Sequence, residues 1–136
     1  PAADTGETAI PQVLRLVRVR SVRGEPFTLM TAYFPSGFAA NLDRRTLKTM
    51  APPVALEANG ISMERAEQRI SATVADETTS PLLNVPVGTP LILIGTVFFD
   101  EQDSPALAME SLYRPDLYEY RSMMRRDHSG RWQSVL

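Results

Sequence analysis

The first clear pattern of the sequence is an alternation of side chains between residues 13 and 35. In VLRLVRVRS, apolar and basic residues alternate along an extended chain, and TLMTAYF continues an alternating pattern after a polar turn. The turn contains Gly24 and Pro26, two residue types that are common in hairpin loops. These residues predict a β-hairpin formed by strands 13–21 and 27–34.

Capping and turn residues predict three short helices. Asn41 can cap one helix, Pro52 and Pro53 can begin another that ends at Asn59-Gly60, and Asp76 can cap a third. The predicted helices cover residues 42–50, 52–59 and 76–84.

Further strands are predicted in the second half of the chain. Segment 61–75 fits a helix by its spacing of four, but its even-numbered apolar positions and its ISATV ending favour a strand. The apolar run 91–99 predicts a central strand that is buried on both faces. Residues 106–113 and 118–124 predict two more strands, and residues 127–136 predict a loose tail.

The order of these elements predicts the fold class. The pattern of strand, polar loop, proline and strand around Pro26 recurs around Pro105. A repeated hairpin with helical segments between its copies predicts one central antiparallel sheet with flanking helices, which is an α+β fold. The 136 residues, 43% of them hydrophobic, suit a single domain over residues 1–126, followed by the tail 127–136.

Composition excludes several classes of function. The net charge of −2 gives no general attraction to nucleic acid or to an anionic membrane, and no apolar run approaches the roughly 20 residues of a membrane helix. Cysteine is absent and His128 is the single histidine, so thiol chemistry, a Ser-His-Asp triad and a histidine metal site are not expected. We expect a cytoplasmic protein without metal, cofactor or catalytic residue.

Arg18 and Arg20 are the strongest candidates for chemistry. They point to the same face of the first predicted strand, roughly 7 Å apart by the strand rise. Two like charges on one face repel each other unless water, protein carboxylates or an anion from outside the protein stabilises them. Guanidinium groups hold carboxylate or phosphate with paired hydrogen bonds, so an anion clamp is one interpretation and a solvated pair is the other.

Three segments, taken in order, resemble a known family. They are LVRVR with GEP and TAYFP (residues 16–35), LLNVPVGTPL (residues 82–91) and SLYRPDLYEY (residues 111–120). Together they resemble the UTRA domain, the effector-binding half of GntR-type bacterial transcription regulators of the HutC branch. The resemblance runs from about residue 2 to residue 125.

The resemblance implies a chorismate-lyase-like α+β fold with a small-molecule pocket on its sheet. It also implies a homodimer, because operators are usually palindromic, and DNA binding through a separate N-terminal winged helix-turn-helix domain. The beginning of the family's domain is expected to be shortened in this chain.

The resemblance also transfers site residues. The family's Arg-x-Arg, which helps to hold the anion in sugar-phosphate sensors, matches Arg18 and Arg20, and its pocket tyrosine matches Tyr113. Where such sensors place two glutamates for sugar hydroxyls, this chain has Met30 and Leu107. An anionic effector with a more apolar body, such as a carboxylic or aromatic acid, is therefore expected.

Two further candidates and two alternative functions stay open. Arg69 and Ser71 would share a strand face and could bind ligand, or they could be part of a solvated face. A lyase acting on a chorismate-like diacid would share the fold and would need an acid, for which Glu110 is the strand candidate. A pure dimerisation module would fill its pocket with its own side chains.

Overall fold

Residues 13–35, 37 and 44–135 are described by the computed structural model, and most of them belong to strands. The strands are β1 (Val13–Val22), β2 (Glu25–Pro35), β3 (Met63–Val74), β4 (Pro90–Asp100), β5 (Pro105–Tyr113), β6 (Met124–Arg126) and β7 (Trp132–Ser134). The helices are α1 (Arg44–Thr49), α2 (Pro52–Ala58) and α3 (Thr79–Leu83).

Five strands form one antiparallel sheet in the order β1-β2-β5-β4-β3, and β6 pairs with β7 separately. The predicted α+β architecture is therefore confirmed. Segment 61–75 forms a strand, as its even-numbered apolar positions indicated. The predicted cap Asn41 lies outside the described residues.

The β1–β2 hairpin turns more tightly than the sequence indicated. Its turn consists of Arg23 and Gly24, which both have positive φ angles of 52° and 81°. Such angles at both central residues match the twist of paired strands. The second strand therefore begins at Glu25 rather than at Phe27.

Cross-strand register assigns the side chains to two faces of the sheet. Arg18 lies opposite Met30, Met30 lies opposite Ser111, and Ser111 lies opposite Ile94. This side, which packs against α1 and α2, is called the α1 face. The other side, which packs against α3, is called the α3 face.

Each face has its own hydrophobic core. The α1-face core consists of buried residues from β2, β5, α1 and α2, which are Met30, Ala32, Phe34, Leu47, Leu56 and Leu107. The α3-face core is smaller and consists of Leu29, Ala75, Leu83, Val85 and Leu91. Helix α3 covers only one end of the α3 face. No described helix covers the side chains on the rest of that face.

This uneven cover corrects one prediction about β4. The strand is paired on both sides, but only Leu91, Ile94 and Gly95 along it are buried. The expected burial on both faces over 91–99 is wrong, because no helix of the described chain covers the α3 face at the far end of β4.

The predictions for the C-terminal residues are also wrong. Residues 118–123 form no strand, and the expected loose tail 127–136 contains β7, which pairs with β6. Asp127 organises its turn by accepting hydrogen bonds from the backbone N–H groups of Ser129 and Arg131 and from the Ser129 hydroxyl. These bonds, with that of the Ser129 side chain first, lower the pKa of Asp127.

Asp76 organises the start of α3 in a similar way. Its carboxylate accepts hydrogen bonds from the backbone N–H groups of Thr78 and Thr79 and from the Thr79 hydroxyl. The backbone hydrogen bond of Thr79 is the main cause that lowers the pKa of Asp76. The helix is shorter than predicted, since it covers only Thr79–Leu83, and Asn84 follows it in the left-handed conformation.

Arg114 connects three separate parts of the fold. Its side chain is nearly buried, and its guanidinium donates hydrogen bonds to the carboxylates of Glu25 and Asp116 and to the carbonyls of Pro26 and Leu83. These partners belong to the start of β2, the end of α3 and the chain after β5. The guanidinium therefore fixes the end of the sheet to α3.

Replacing Arg114 should destabilise the domain. We expect Arg114→Ala to lower the free energy of unfolding by about 3 kcal/mol, because hydrogen bonds to a charged buried group are lost. Arg65→Ala is the matched control. Arg65 pairs with Glu67 and Asp103 at an exposed site, so Arg65→Ala should cost clearly less than Arg114→Ala. Urea unfolding measures both values, and equal costs would contradict this role of Arg114.

The same ion pair should make stability depend on pH. The hydrogen bond from Arg114 lowers the pKa of Asp116 below its ordinary value of 3.8. The contribution is therefore complete above pH 3.8 and is lost as the pH falls through the lowered pKa of the folded state. The stability difference between wild type and Asp116→Asn should shrink on acidification from about pH 6 to about pH 2. A difference that stays constant over this range in urea titrations would contradict the coupling.

Candidate functional site

A polar and aromatic group of side chains lies on the α1 face, near the β1–β2 turn. One cross-strand row contains Arg20, Thr28 and Tyr113, and the next contains Arg18, Met30 and Ser111. We call Arg18, Arg20, Thr28, Ser111 and Tyr113 the Arg18–Arg20 site. The strand alternation that the sequence predicted therefore brings both arginines and Tyr113 together.

Arg18 holds the end of helix α1. Its Nη1 donates to the carbonyls of Leu47 and Lys48 at 3.2 and 3.1 Å, and its Nη2 donates to the carbonyl of Met50 at 3.0 Å. The last carbonyls of a helix have no partner within the helix, so a cation there is favourable. Backbone carbonyls were not among the partners that the sequence suggested.

Arg18 keeps part of its donor capacity. A guanidinium has five N–H donors, and the three bonds to carbonyls leave Nε and one N–H of Nη2. The Nε atom is buried and has no hydrogen-bond partner among the described residues. Nε and Nη2 share the edge of a guanidinium that can bind a carboxylate with two hydrogen bonds.

Arg20 lies beside a series of aromatic rings. Its guanidinium carbon is 5.8 Å from the centre of the Phe27 ring, and the centres of the Phe27 and Tyr113 rings are 6.4 Å apart. Tyr113 stacks on Tyr118 with 4.1 Å between ring centres. Burial is the main cause that raises the pKa of Tyr118. None of the ion pairs within the described part of the chain involves Arg20.

Thr28 is a site residue that sequence reasoning missed. It is 2% exposed, and its hydroxyl has no hydrogen-bond partner among the described residues. Ser111, in the neighbouring row, is also buried. A buried hydroxyl without a partner costs about 1–3 kcal/mol and calls for an explanation such as a bound molecule. A threonine in a strand is ordinary by sequence, so nothing marked it in advance.

Met30 lies next to the site and Leu107 lies two same-face rows further along β5, and both belong to the α1-face core. Met30 is 5% exposed and Leu107 is 1% exposed. Met30 stands directly opposite Arg18. At this position the resemblance implies a glutamate in sugar-phosphate sensors. The wall beside Arg18 is therefore apolar.

Arg69 and Ser71 share a face, as predicted, but it is the α3 face. They line an open cavity of ≈ 310 Å³ together with Leu93 and Glu110. A neighbouring cavity of ≈ 320 Å³ on the same face includes Arg15 and Glu110 in its lining. The structure therefore separates Arg69, Ser71 and Glu110 from the Arg18–Arg20 site by the thickness of the sheet.

Neither a metal site nor a membrane-spanning helix is present in the part of the chain that the structure describes. The residues it describes contain no group of three or more His, Asp or Glu side chains that could hold a metal ion. Its helices are all too short or too polar to span a bilayer.

Fold and site together define an α+β domain whose antiparallel sheet carries a cluster of cationic and aromatic side chains on one face. The sequence matches the family model of the UTRA domain over residues 3–119, so the chain belongs to the UTRA domain family.

Solved structures of transcriptional regulators and of effector domains have a similar fold. A transcriptional regulator from Streptomyces coelicolor shares 26% identity, with 91% of this chain and 75% of that chain covered and a TM-score of 0.76. The ligand-binding domain of a GntR-family regulator from Bordetella bronchiseptica shares 25%, with 85% and 74% covered and a TM-score of 0.75. The effector domain of PhnF from Mycobacterium smegmatis shares 25%, with 83% and 70% covered and a TM-score of 0.69.

Removing Arg18 should loosen α1. We expect Arg18→Ala to lower the free energy of unfolding by about 2 kcal/mol and to speed amide exchange in α1, because three helix-end carbonyls lose a charged donor. Arg20→Ala is the control, since the bonds to α1 come from Arg18. Hydrogen exchange followed by mass spectrometry separates the two variants. Equal exchange of α1 in both would contradict the role of Arg18.

Proposed function

We propose that this domain is the sensor of a GntR-type transcription regulator of the HutC branch and that it binds an anionic metabolite at the Arg18–Arg20 site. Metabolite binding would control operator binding by a winged helix-turn-helix domain in a cytoplasmic homodimer. The observation that carries the proposal is the pair of buried unpartnered polar atoms, Arg18 Nε and Thr28 Oγ1, on the face that also presents Arg20.

The anion is proposed to bind between the two guanidinium groups. The free edge of Arg18 would take two oxygens of a carboxylate or phosphate, and Arg20 would supply a second positive charge. The Thr28 hydroxyl lies opposite Arg20 and could donate to the same ligand. Each of these groups would then gain a partner that it lacks among the described residues.

The body of the metabolite is proposed to be apolar or aromatic. Met30 contributes no hydrogen-bonding side chain beside Arg18, and Leu107 further along the same face is also apolar. A sugar would lack the acceptors that its hydroxyl groups need. The stacked rings of Tyr113 and Tyr118 lie at the Arg20 end of the site. Aromatic groups prefer such stacked or tilted neighbours.

Arg18 also offers a route from the metabolite to the rest of the domain. Its guanidinium would hold the end of α1 and the anion at the same time, so the strength of one contact would affect the other. A ligand changes a conformational equilibrium only when it binds one state better. Metabolite and operator affinities would then be linked reciprocally.

The position of Glu110 supports a sensor rather than a lyase. Its side chain belongs to the α3 face and lines the cavities there. A lyase acting at the arginines would need an acid near them, and Glu110 is on the other side of the sheet. The similar structures from Bordetella bronchiseptica and Streptomyces coelicolor support this preference, because they belong to transcriptional regulators.

Calorimetry with simple anions tests the proposal. We expect benzoate to bind more tightly than glucosamine 6-phosphate, and Arg20→Ala to weaken benzoate binding about tenfold or more, because a charge-assisted contact is worth about 1.5–3 kcal/mol. Arg15→Ala is the matched control, since Arg15 lies on the same strand but faces the opposite side. It should leave the affinity within about twofold.

Two results would contradict the proposal. If glucosamine 6-phosphate binds and benzoate does not, the proposal that the effector has an apolar body is wrong. Anion binding that depends on Arg15 or Arg69, and not on Arg20, would move the site to the α3 face.

A further inference from the structure

Strand β3 has an unusual edge. It is 12 residues long, and all of its residues except Met63 and Thr73 are exposed. Among the described residues it pairs on one side only, with β4, so its other side presents unpaired N–H and C=O groups. Such an edge binds another strand unless its side chains prevent this.

The charges along β3 select a particular partner. In MERAEQRISATV, Glu67 and Arg69 stand on either side of Gln68, and the exposed Glu67 also pairs with Arg65 of its own strand. If a second copy of the strand runs antiparallel and places Gln68 opposite Gln68, Glu67 of each copy lies opposite Arg69 of the other. Opposite charges that face each other across strands stabilise the pair.

Other long registers lack this match. Shifting the copy by one residue, so that Gln68 lies opposite Arg69, places no charged residue opposite a residue of opposite charge. Shifting it by two places Arg69 opposite Arg69, which is repulsive. Three antiparallel registers pair at least 11 of the 12 residues of β3. Of these three, the register centred on Gln68 is the one that places opposite charges face to face.

The same register improves the apolar contacts. Ala66 would lie opposite Ile70, whose side chain is 49% exposed in the single chain. Arg69 makes no hydrogen bond or ion pair with the residues that the structure describes, so its charge is available to a partner. The other edge strand, β1, is unsuited to self-pairing because VLRLVRVRSV contains three arginines and no acid.

We infer that β3 pairs with β3 of a second copy of this chain in the register centred on Gln68. The two five-stranded sheets then form one continuous sheet with both α1 faces on the same side. The inference specifies the surface of the homodimer in the proposed function and rests on that dimer, but it does not depend on the identity of the metabolite.

A single cysteine tests the register, because the chain contains none of its own. Gln68→Cys should form a disulfide-linked dimer under mild oxidation, since the two cysteines face each other. Ala72→Cys is the matched control on the same strand and face, and its two copies would lie roughly 27 Å apart by the strand rise. Gln68→Cys should cross-link at least about tenfold faster, because a disulfide requires Cα atoms within about 7 Å.

Charge reversal tests the pairing energetically. Glu67→Arg or Arg69→Glu alone places like charges opposite each other twice, and should raise the dimer dissociation constant about tenfold. The double variant restores opposite charges and should return the constant to within about threefold of wild type. Sedimentation velocity measures each constant, and circular dichroism confirms that these surface variants are folded.

Several outcomes overturn the inference. They are a monomer at all concentrations, equal cross-linking of the two cysteine variants, and a dimer that does not respond to charge reversal. The two proposals can also fail separately. If benzoate binding requires Arg20 but the Gln68→Cys variant does not cross-link, this interface is wrong and the proposed metabolite site still stands.

Discussion

The register of β2 with its two neighbours is the constraint on which the rest of the structure depends. Because β2 is paired on both sides, a slip of one residue would turn Met30, Ala32 and Phe34 away from the α1-face core. The same alignment fixes the faces of Arg18 and Arg20. Burial of the core and assembly of the candidate site are therefore consequences of one set of backbone hydrogen bonds.

The guanidinium groups have different tasks at different depths in this sheet. Arg114 is nearly buried and has several partners, so it stabilises the fold. Arg18 is half-buried and donates three hydrogen bonds to carbonyls at a helix end, while its Nε has no partner among the described residues. Arg20 lies against an aromatic ring. The three environments show that residue type alone does not separate a structural arginine from one that can bind a ligand.

The division of polar residues between the two faces also shapes the functional interpretation. The α1 face combines cationic, aromatic and apolar groups, whereas the α3 face combines Glu110 with Arg69 and open cavities. A single sheet can therefore present a metabolite site on one side and unrelated surface chemistry on the other. The edge strand β3 belongs to both faces, so pairing between two copies would extend both without covering either.

The sequence by itself determined the two hairpins, the α+β class and the shared face of Arg18 and Arg20, because side-chain alternation is a local property of an extended chain. It also carried the motifs that indicate the UTRA family. Only the tertiary structure decided what Arg18 contacts, since its carbonyl partners lie 29 to 32 residues away and carry no side-chain signal. It likewise decided that Thr28 is buried without a described partner and that Arg69 lies across the sheet from the site. These properties depend on which strands become neighbours, and strand order is a long-range outcome that no local pattern encodes.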